Sequence, residues 1–530
     1  MIYALKLLIV VSVVTLVAGY VFRSAFRDIF SPVEYKRVWH IVLLGVVLSY
    51  LCQIPAVFLI AVGVLAFWAG TATGRGPAGK IAIYLLLTCT LPPINLQVGG
   101  FGGINYLLLL DHRRILALVL LTWAAIELVP MKPQPRTIRF LWVDLFVVGY
   151  QLLRFLLNVP HSTMTTLARM VVESALDILL PYFVVTRGVR SMADLRFVGG
   201  HLLLGIAFAA CVGVAETLLQ HNLYSGLQSI YGMRWQLTYV LMRGSLIRIQ
   251  ATTPEPIILA FMLTFGFALW YWLKGRQWRR PSVMALLGAM LVAEIATFSR
   301  GPWLGVALIL LAVFAMRHLP AATFKAVLVV LVLAAVGLKM AGADEQVIAV
   351  LGSIFGSEKS DIASIEYRRQ LLDTSLALVK QSPWLGVPNY ASQMQNLVQG
   401  EGIIDVVNSY VAIMLDAGLV GLVVYLLPFV IVLNRLISAV RRRDPAALEG
   451  GNRFAPAFAA LILSSLFVIL TASTFNVMPQ LLTLLLSLPT AWLGFSLEER
   501  NAAGARADIE LDIPDDPLQR HAAWVGGRLS

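Results

Sequence analysis

Charged residues are scarce, at 13% of the chain, where a soluble domain carries about a quarter. That scarcity excludes an ordinary cytosolic enzyme and a disordered protein, both of which need charge to stay in water. Cysteine is rarer still. The three present (Cys52, Cys89, Cys211) fall inside apolar runs, their number is odd and no CxxC occurs. Neither a disulfide framework nor a zinc site is encoded. The seven histidines show no HExxH or paired-ligand spacing. A phosphate loop of the GxxxxGKS/T kind is also missing.

What fills the sequence is hydrocarbon. Of 530 residues, 59% are hydrophobic, and the mean hydropathy is +0.80. One bilayer span takes about 20 apolar residues, so about 12–15 spans fit the apolar runs. The fold class is therefore all-α, a polytopic integral membrane helical bundle. Two runs are ambiguous. Residues 39–70 read either as one tilted helix or as a short pair broken at Pro55. The run at 104–128 contains Asp111, His112, Arg113 and Arg114, which favours a break. The first twenty residues lack a small-x-small cleavage site and precede Arg23 and Arg27. They read as an uncleaved span with its N-terminus outside.

The net charge of +12, from 41 Lys+Arg against 29 Asp+Glu, would suggest nucleic acid in a soluble domain. Here it reads as basic loops obeying the positive-inside rule, and no nucleic-acid partner is expected. The basic connections at 132–139, 187–196, 274–280 and 441–443 can all be cytoplasmic if helices alternate. The sequence then divides into N-terminal transmembrane helices (1–219), an external loop (220–254), further transmembrane helices (255–341), a large external loop (342–405), C-terminal transmembrane helices (406–496) and a polar, disordered cytoplasmic tail (497–530). Within the large loop, SIEYRRQLLDTSLALVKQ places Ile365, Leu372, Leu376 and Val379 at helical spacing. It predicts an amphipathic helix on the outer membrane surface or over a cavity.

Ionisable groups within spans are costly and are functional hypotheses by default. Asp144, Arg154, Arg169, Glu173, Asp177 and Glu294 fall in apolar runs. They read either as an internal salt-bridge network or as a proton or substrate pathway. The external side collects Arg234, Arg243, Arg248, Arg300, Arg368 and Arg369. Singly, such residues anchor to lipid headgroups. Together they form an anion site, because guanidinium binds phosphate oxygens in bidentate fashion. No DxD-type metal cage stands in these loops, so a diphosphate leaving group would be neutralised by arginine. Gly418 and Gly421 in DAGLVGLVVY read as a small-x-x-small packing face.

Four segments carry a family resemblance. RIQATTPEPIILAFML (Arg248–Leu263), ATFSRGPWLGVALILL (Ala296–Leu311), RRQLLDTSLALVKQSPWLGV (Arg368–Val387) and VVNSYVAIMLDAGLVGLVVYLL (Val406–Leu427) resemble, in order, stretches of O-antigen ligase and O-antigen polymerase-like proteins. The N-terminal part of the chain matches only in hydropathy. The resemblance implies an enzyme of the bacterial inner membrane with its active site facing the periplasm. It would transfer sugar from an undecaprenyl-diphosphate-linked oligosaccharide, with no cofactor, among membrane lipids. A chain-length regulator and a flippase are the partners it implies. Arg248 and Arg300 would contact the diphosphate, Arg368 or Arg369 a second phosphate or a sugar, and Asn408 the substrate. Family ligases carry a histidine before that asparagine, usually assigned to activate the acceptor hydroxyl. Here the position is Val407, which shifts the reading from ligase towards polymerase. The remaining candidates for the base are Glu255, Asp405 and Glu294, with His161 and His221 also external. A reading of another class is a lipid-linked oligosaccharide flippase or transporter, with the buried charges as its conduit.

Overall fold

The computed structural model describes residues 2–99, 106–131, 138–231, 241–243, 245–318, 359–397, 404, 406, 408–441, 453–474 and 476–511. It is an all-α polytopic bundle. Among the described residues, eight helices are long and apolar enough to cross a bilayer: Ile2–Val21, Pro55–Ala72, Leu141–His161, Met192–Leu219, Pro256–Gln277, Arg300–His318, Ser409–Arg441 and Met478–Ser496. Two shorter apolar helices, Pro281–Ala296 and Phe454–Val468, accompany them. Other expected spans are more polar, shorter or interrupted. Pro32–Leu51 opens on Glu34, Lys36 and Arg37, and Gly76–Thr90 has only 15 residues. The span expected at 320–341 lies outside the described residues.

Both ambiguous runs resolve into broken segments. Residues 39–70 form parts of two helices, Pro32–Leu51 and Pro55–Ala72. Ser31 and Glu34 cap the first reciprocally, and Pro55 starts the second, where its missing N–H costs nothing. In the second run, Tyr106–Asp111 is a strand paired antiparallel with Asn95–Gly99. Asp111 ends it and caps the helix His112–Leu116, accepting the Arg114 N–H at 3.0 Å. The last helix, Met478–Leu511, runs past the apolar stretch into the segment expected to be a disordered tail. The local sequence there, EERNAAGARAD, is rich in good helix formers.

At one end of the bundle Asp28 bonds both Lys274 and Arg196, joining the 187–196 and 274–280 connections. At the other, Tyr3 bonds His221, and the 241–250 segment meets the turn at 297–299. Most of the ionisable groups within spans are paired between segments, Glu294 being an exception. Arg114 from the broken segment is shared by Asp177 (2.8 Å) and Glu173 (3.1 Å). Asp144 takes Arg187 (2.9 Å) and the Tyr182 hydroxyl (2.7 Å). Arg154 meets Asp416 at 3.2 Å. A charge at the centre of a span costs about 2.5–3.5 kcal/mol, and each of these pairs offsets part of that cost.

The predicted loop helix is present as Lys359–Gln381. One stripe of it packs against its own chain. Leu371, Leu378 and Val379 pack with Val406, Val411 and Leu415 in a small core of their own. The buried stripe therefore runs through Leu371, Ser375 and Leu378, with Leu372 and Leu376 half-covered. The chain after this helix docks onto a break in Ser409–Arg441. Gly418 there has φ 63° and ψ −164°, which frees neighbouring backbone groups. Leu419 N–H donates to Pro383 O (2.8 Å), Val420 N–H to Trp384 O (3.2 Å), and Leu415 O accepts from Val387 N–H (2.7 Å). Gly418 is thus a hinge for the backbone and not a packing face. Gly421 keeps the packing role, with Leu153 of the neighbouring helix within 4 Å of where a Cβ would stand.

A Cβ on Gly418 would collide with the Trp384 carbonyl and would sit in a left-handed conformation that costs about 1–2 kcal/mol. Gly418→Val is expected to undock residues 383–387. The measurement is limited proteolysis in detergent: cleavage between Lys380 and Val387 should accelerate at least tenfold over the unaltered protein.

Candidate functional site

The loop before Pro256–Lys274 is held by one carboxylate. Glu216, fully buried near the end of Met192–Leu219, accepts the N–H of Leu223 (2.9 Å) on one oxygen. Its other oxygen takes the N–H groups of Gln250 (3.0 Å) and Ala251 (2.9 Å). Ala251 is left-handed, with φ 48°, a conformation that persists only where its surroundings over-determine it. Asn222 and Thr252 add bonds to Gln250 and to the Cys89 carbonyl.

Three residues before Ala251, Arg248 leaves this anchored loop and grips the next turn. Its Nε donates to Thr297 O (3.0 Å) and its Nη2 to Ser299 Oγ (3.1 Å). Arg243, on the short antiparallel pair Met242–Arg243 and Leu246–Ile247, donates to Phe298 O (3.2 Å). Phe298 is also left-handed, with φ 50°. Arg300 follows directly and opens its helix. Arg243 and Arg248 therefore both bond the 297–299 turn, whose backbone is held in an uncommon geometry, and Arg300 follows it in sequence.

A third segment joins this turn to the start of Ser409–Arg441. Gly301 lies against Thr471, where a Cβ would clash. Ser409 N–H donates to Ile469 O (3.0 Å), Ser409 Oγ to Ala472 O (2.6 Å) and Tyr410 Oη to Leu466 O (2.6 Å). Asn408 caps the helix, its Oδ1 accepting the N–H of Tyr410 (3.0 Å) and Val411 (3.3 Å). Its Oδ1 is thereby engaged in the helix cap.

Beneath that cap lies a cavity of about 280 Å³ between Ile138–Asn158, Ser409–Arg441 and Met478–Leu511. Ser409 and Thr474 line it beside the Arg154–Asp416 pair and Gln151, and Tyr150, Tyr425 and Phe429 wall it with aromatic rings. Tyr390, from the short helix Tyr390–Gln393 after the docked segment, feels this charge. Burial, and next the Asp416 carboxylate, push its phenol up to about 12, while Arg154 acts the other way.

The sequence-predicted residues separate on this frame. Arg248 bonds the turn that immediately precedes Arg300. Glu255 stands half-buried just before Pro256, its carbonyl accepting from Thr253. Glu294 is sealed at 2% exposure, and its carboxylate has no hydrogen-bonding partner among the described residues. It does not line the cavity. Arg369 is exposed on the loop helix. Asp405, Val407 and Arg234 lie outside the described residues, as does the side chain of Arg368. His161 is exposed, and His221 is engaged by Tyr3 and Ser225. Sequence reasoning missed Glu216 and Asp416. Asp416 was visible as an acid two turns inside a span, in the very DAGLVG run read for its glycines.

Residues 285–426 match the family model described as O-antigen ligase. With the apolar helices, the match supports an O-antigen ligase or polymerase-like membrane protein, an enzyme class of polysaccharide biosynthesis. No curated protein matches the chain. The matched stretch contains Arg300, Asn408, Asp416 and Glu294, whereas Arg248, Glu216 and Arg154 come from outside it.

Glu216→Ala leaves three buried N–H groups without their acceptor, at about 1–3 kcal/mol each. The expected outcome is a fall of several degrees in the melting temperature of the detergent-solubilised protein. Thr217→Ala, on the same turn, removes only a hydroxyl bond to the Gly213 carbonyl and should shift melting far less.

Proposed function

We propose that this protein polymerises undecaprenyl-diphosphate-linked oligosaccharide repeat units into surface polysaccharide, at a site on the external, periplasmic face of the bacterial inner membrane. The observation that carries this reading is the grip of Arg248 on Thr297 and Ser299, which sets it beside Arg300 within the family-matched turn. The acceptor hydroxyl attacks the anomeric carbon and the lipid diphosphate leaves. Fixed guanidinium groups neutralise the charge that develops on it, and being preorganised they need no rearrangement in the transition state. Val407 in place of the family histidine favours polymer formation over ligation.

Ligation of finished polysaccharide to a lipid A core is the second reading, favoured by the description of the matched family as O-antigen ligase. The transport reading loses its main support, since Asp144, Arg154, Glu173 and Asp177 are each paired across helices.

The test is reconstitution in liposomes with undecaprenyl-diphosphate repeat alone. The expected product is a ladder spaced by one repeat, reduced at least 100-fold in Arg300→Ala and Arg248→Ala. Product only after addition of a lipid A core would replace polymerase with ligase. Failure of both, with repeat units moving across the bilayer, would return the protein to transport.

A further inference from the structure

The acceptor hydroxyl must give up its proton as the new bond forms. On the glycosyl-transfer reading above, the question is which carboxylate the acceptor can reach. Glu294 is sealed, and neither it nor Glu255 lines the cavity. We propose that the cavity beneath Asn408 is the acceptor-sugar site, and that Asp416 is the base that takes the acceptor proton.

Four observations carry this. Asp416 is the one carboxylate among the described residues lining the cavity, and Arg154 the one cation. Their side chains are paired at 3.2 Å yet stay 24% and 33% exposed, so the pair faces open space and is not sealed between helices. Next, the lining holds polar atoms without partners among the described residues. Gln151 is 9% exposed with Oε1 unbonded, and Arg154 Nε donates to nothing. A lining with unmet polar demand is not relieved by a hydrocarbon occupant. Sugar hydroxyls both donate and accept, so they suit a lining that offers an ion pair, an amide and the hydroxyls of Ser409 and Thr474. Third, Tyr150 and Tyr425 meet edge-on with centroids 5.1 Å apart, giving aromatic surface on which the C–H face of a pyranose can rest. Finally, the cavity adjoins the arginine turn. Ser409 and Thr474 at its rim belong to the contacts around Ile469–Thr474, and Gly301 packs on Thr471 in the same segment.

The step balances as follows. The acceptor oxygen bonds to the anomeric carbon, and that carbon's bond to the diphosphate oxygen breaks. The bonding pair leaves with the lipid diphosphate towards Arg248 and Arg300. The hydroxyl proton passes to the Asp416 carboxylate and from there to water. Arg154 acts through Asp416, fixing the carboxylate's orientation.

The experiment uses the full-length protein in liposomes. The donor is a lipid-linked repeat whose acceptor hydroxyl has been removed, and the acceptor is the soluble repeat oligosaccharide. Asp416→Asn should lower kcat about 100-fold or more, the usual scale of a lost proton acceptor, with the KM for donor unchanged. Asp416→Glu should recover part of the rate. Ala412→Phe narrows the cavity without touching the ion pair and guards against a folding effect of Asp416→Asn. It should raise the KM for acceptor about tenfold and leave the donor KM alone. Wild-type kcat in Asp416→Asn would overturn the base. A raised donor KM in Ala412→Phe would overturn the acceptor site and assign the cavity to the lipid chain. An unaltered protein that transfers sugar to no acceptor would remove the glycosyl-transfer reading itself, and this assignment with it.

Discussion

A buried amide or carbonyl has no water to bond, so wherever the chain leaves a helix inside the protein these groups must find partners there. The candidate site is assembled from the places where this constraint is met. Glu216 takes three amides of two loops. Arg248 and Arg243 take carbonyls of the turn before Arg300. Pro383, Trp384 and Val387 complete the break at Gly418. Ser409 and Tyr410 close the irregular stretch at 466–472. Each bond answers a local need, and together they fix the arginine turn against the rim of the cavity.

Charge is used in two ways in this molecule. Deep pairs such as Arg114 with Asp177 and Glu173 join helices, and their value lies in avoiding an unpaired ion more than in net attraction. The arginines of the 243–300 region instead spend some of their donors on backbone carbonyls. A guanidinium bonded to a neutral carbonyl keeps its full positive charge, so these bonds fix position. The Arg154–Asp416 pair lies between these cases, since it is paired but still open to a cavity.

Much of the fold was legible because hydropathy and helix punctuation act locally. The spans, the break at Asp111, the pair divided at Pro55 and the helix at 359–381 all follow from composition, proline and charge. What escaped was set by tertiary contact. Which stripe of the loop helix is buried depends on Val406, Val411 and Leu415, which the helix's own sequence does not contain. Gly418 looked like a packing glycine because spacing reveals small residues, whereas its backbone angle is imposed by a loop some thirty residues earlier. Arg248 and Arg300 could be matched from motif order. Glu216 and Asp416 could not, because their roles come from partners distant in sequence.

The docking of residues 383–387 on the Gly418 break also bears on how the protein is made. A span interrupted in mid-helix is a poor membrane segment until something satisfies the interruption. Here the satisfying peptide lies upstream, so it has already been synthesised when Gly418 leaves the ribosome. The chain thus supplies the complement to its own discontinuity in advance. Its C-terminal spans can assemble in the order of synthesis, with no need to wait for later residues to repair the break.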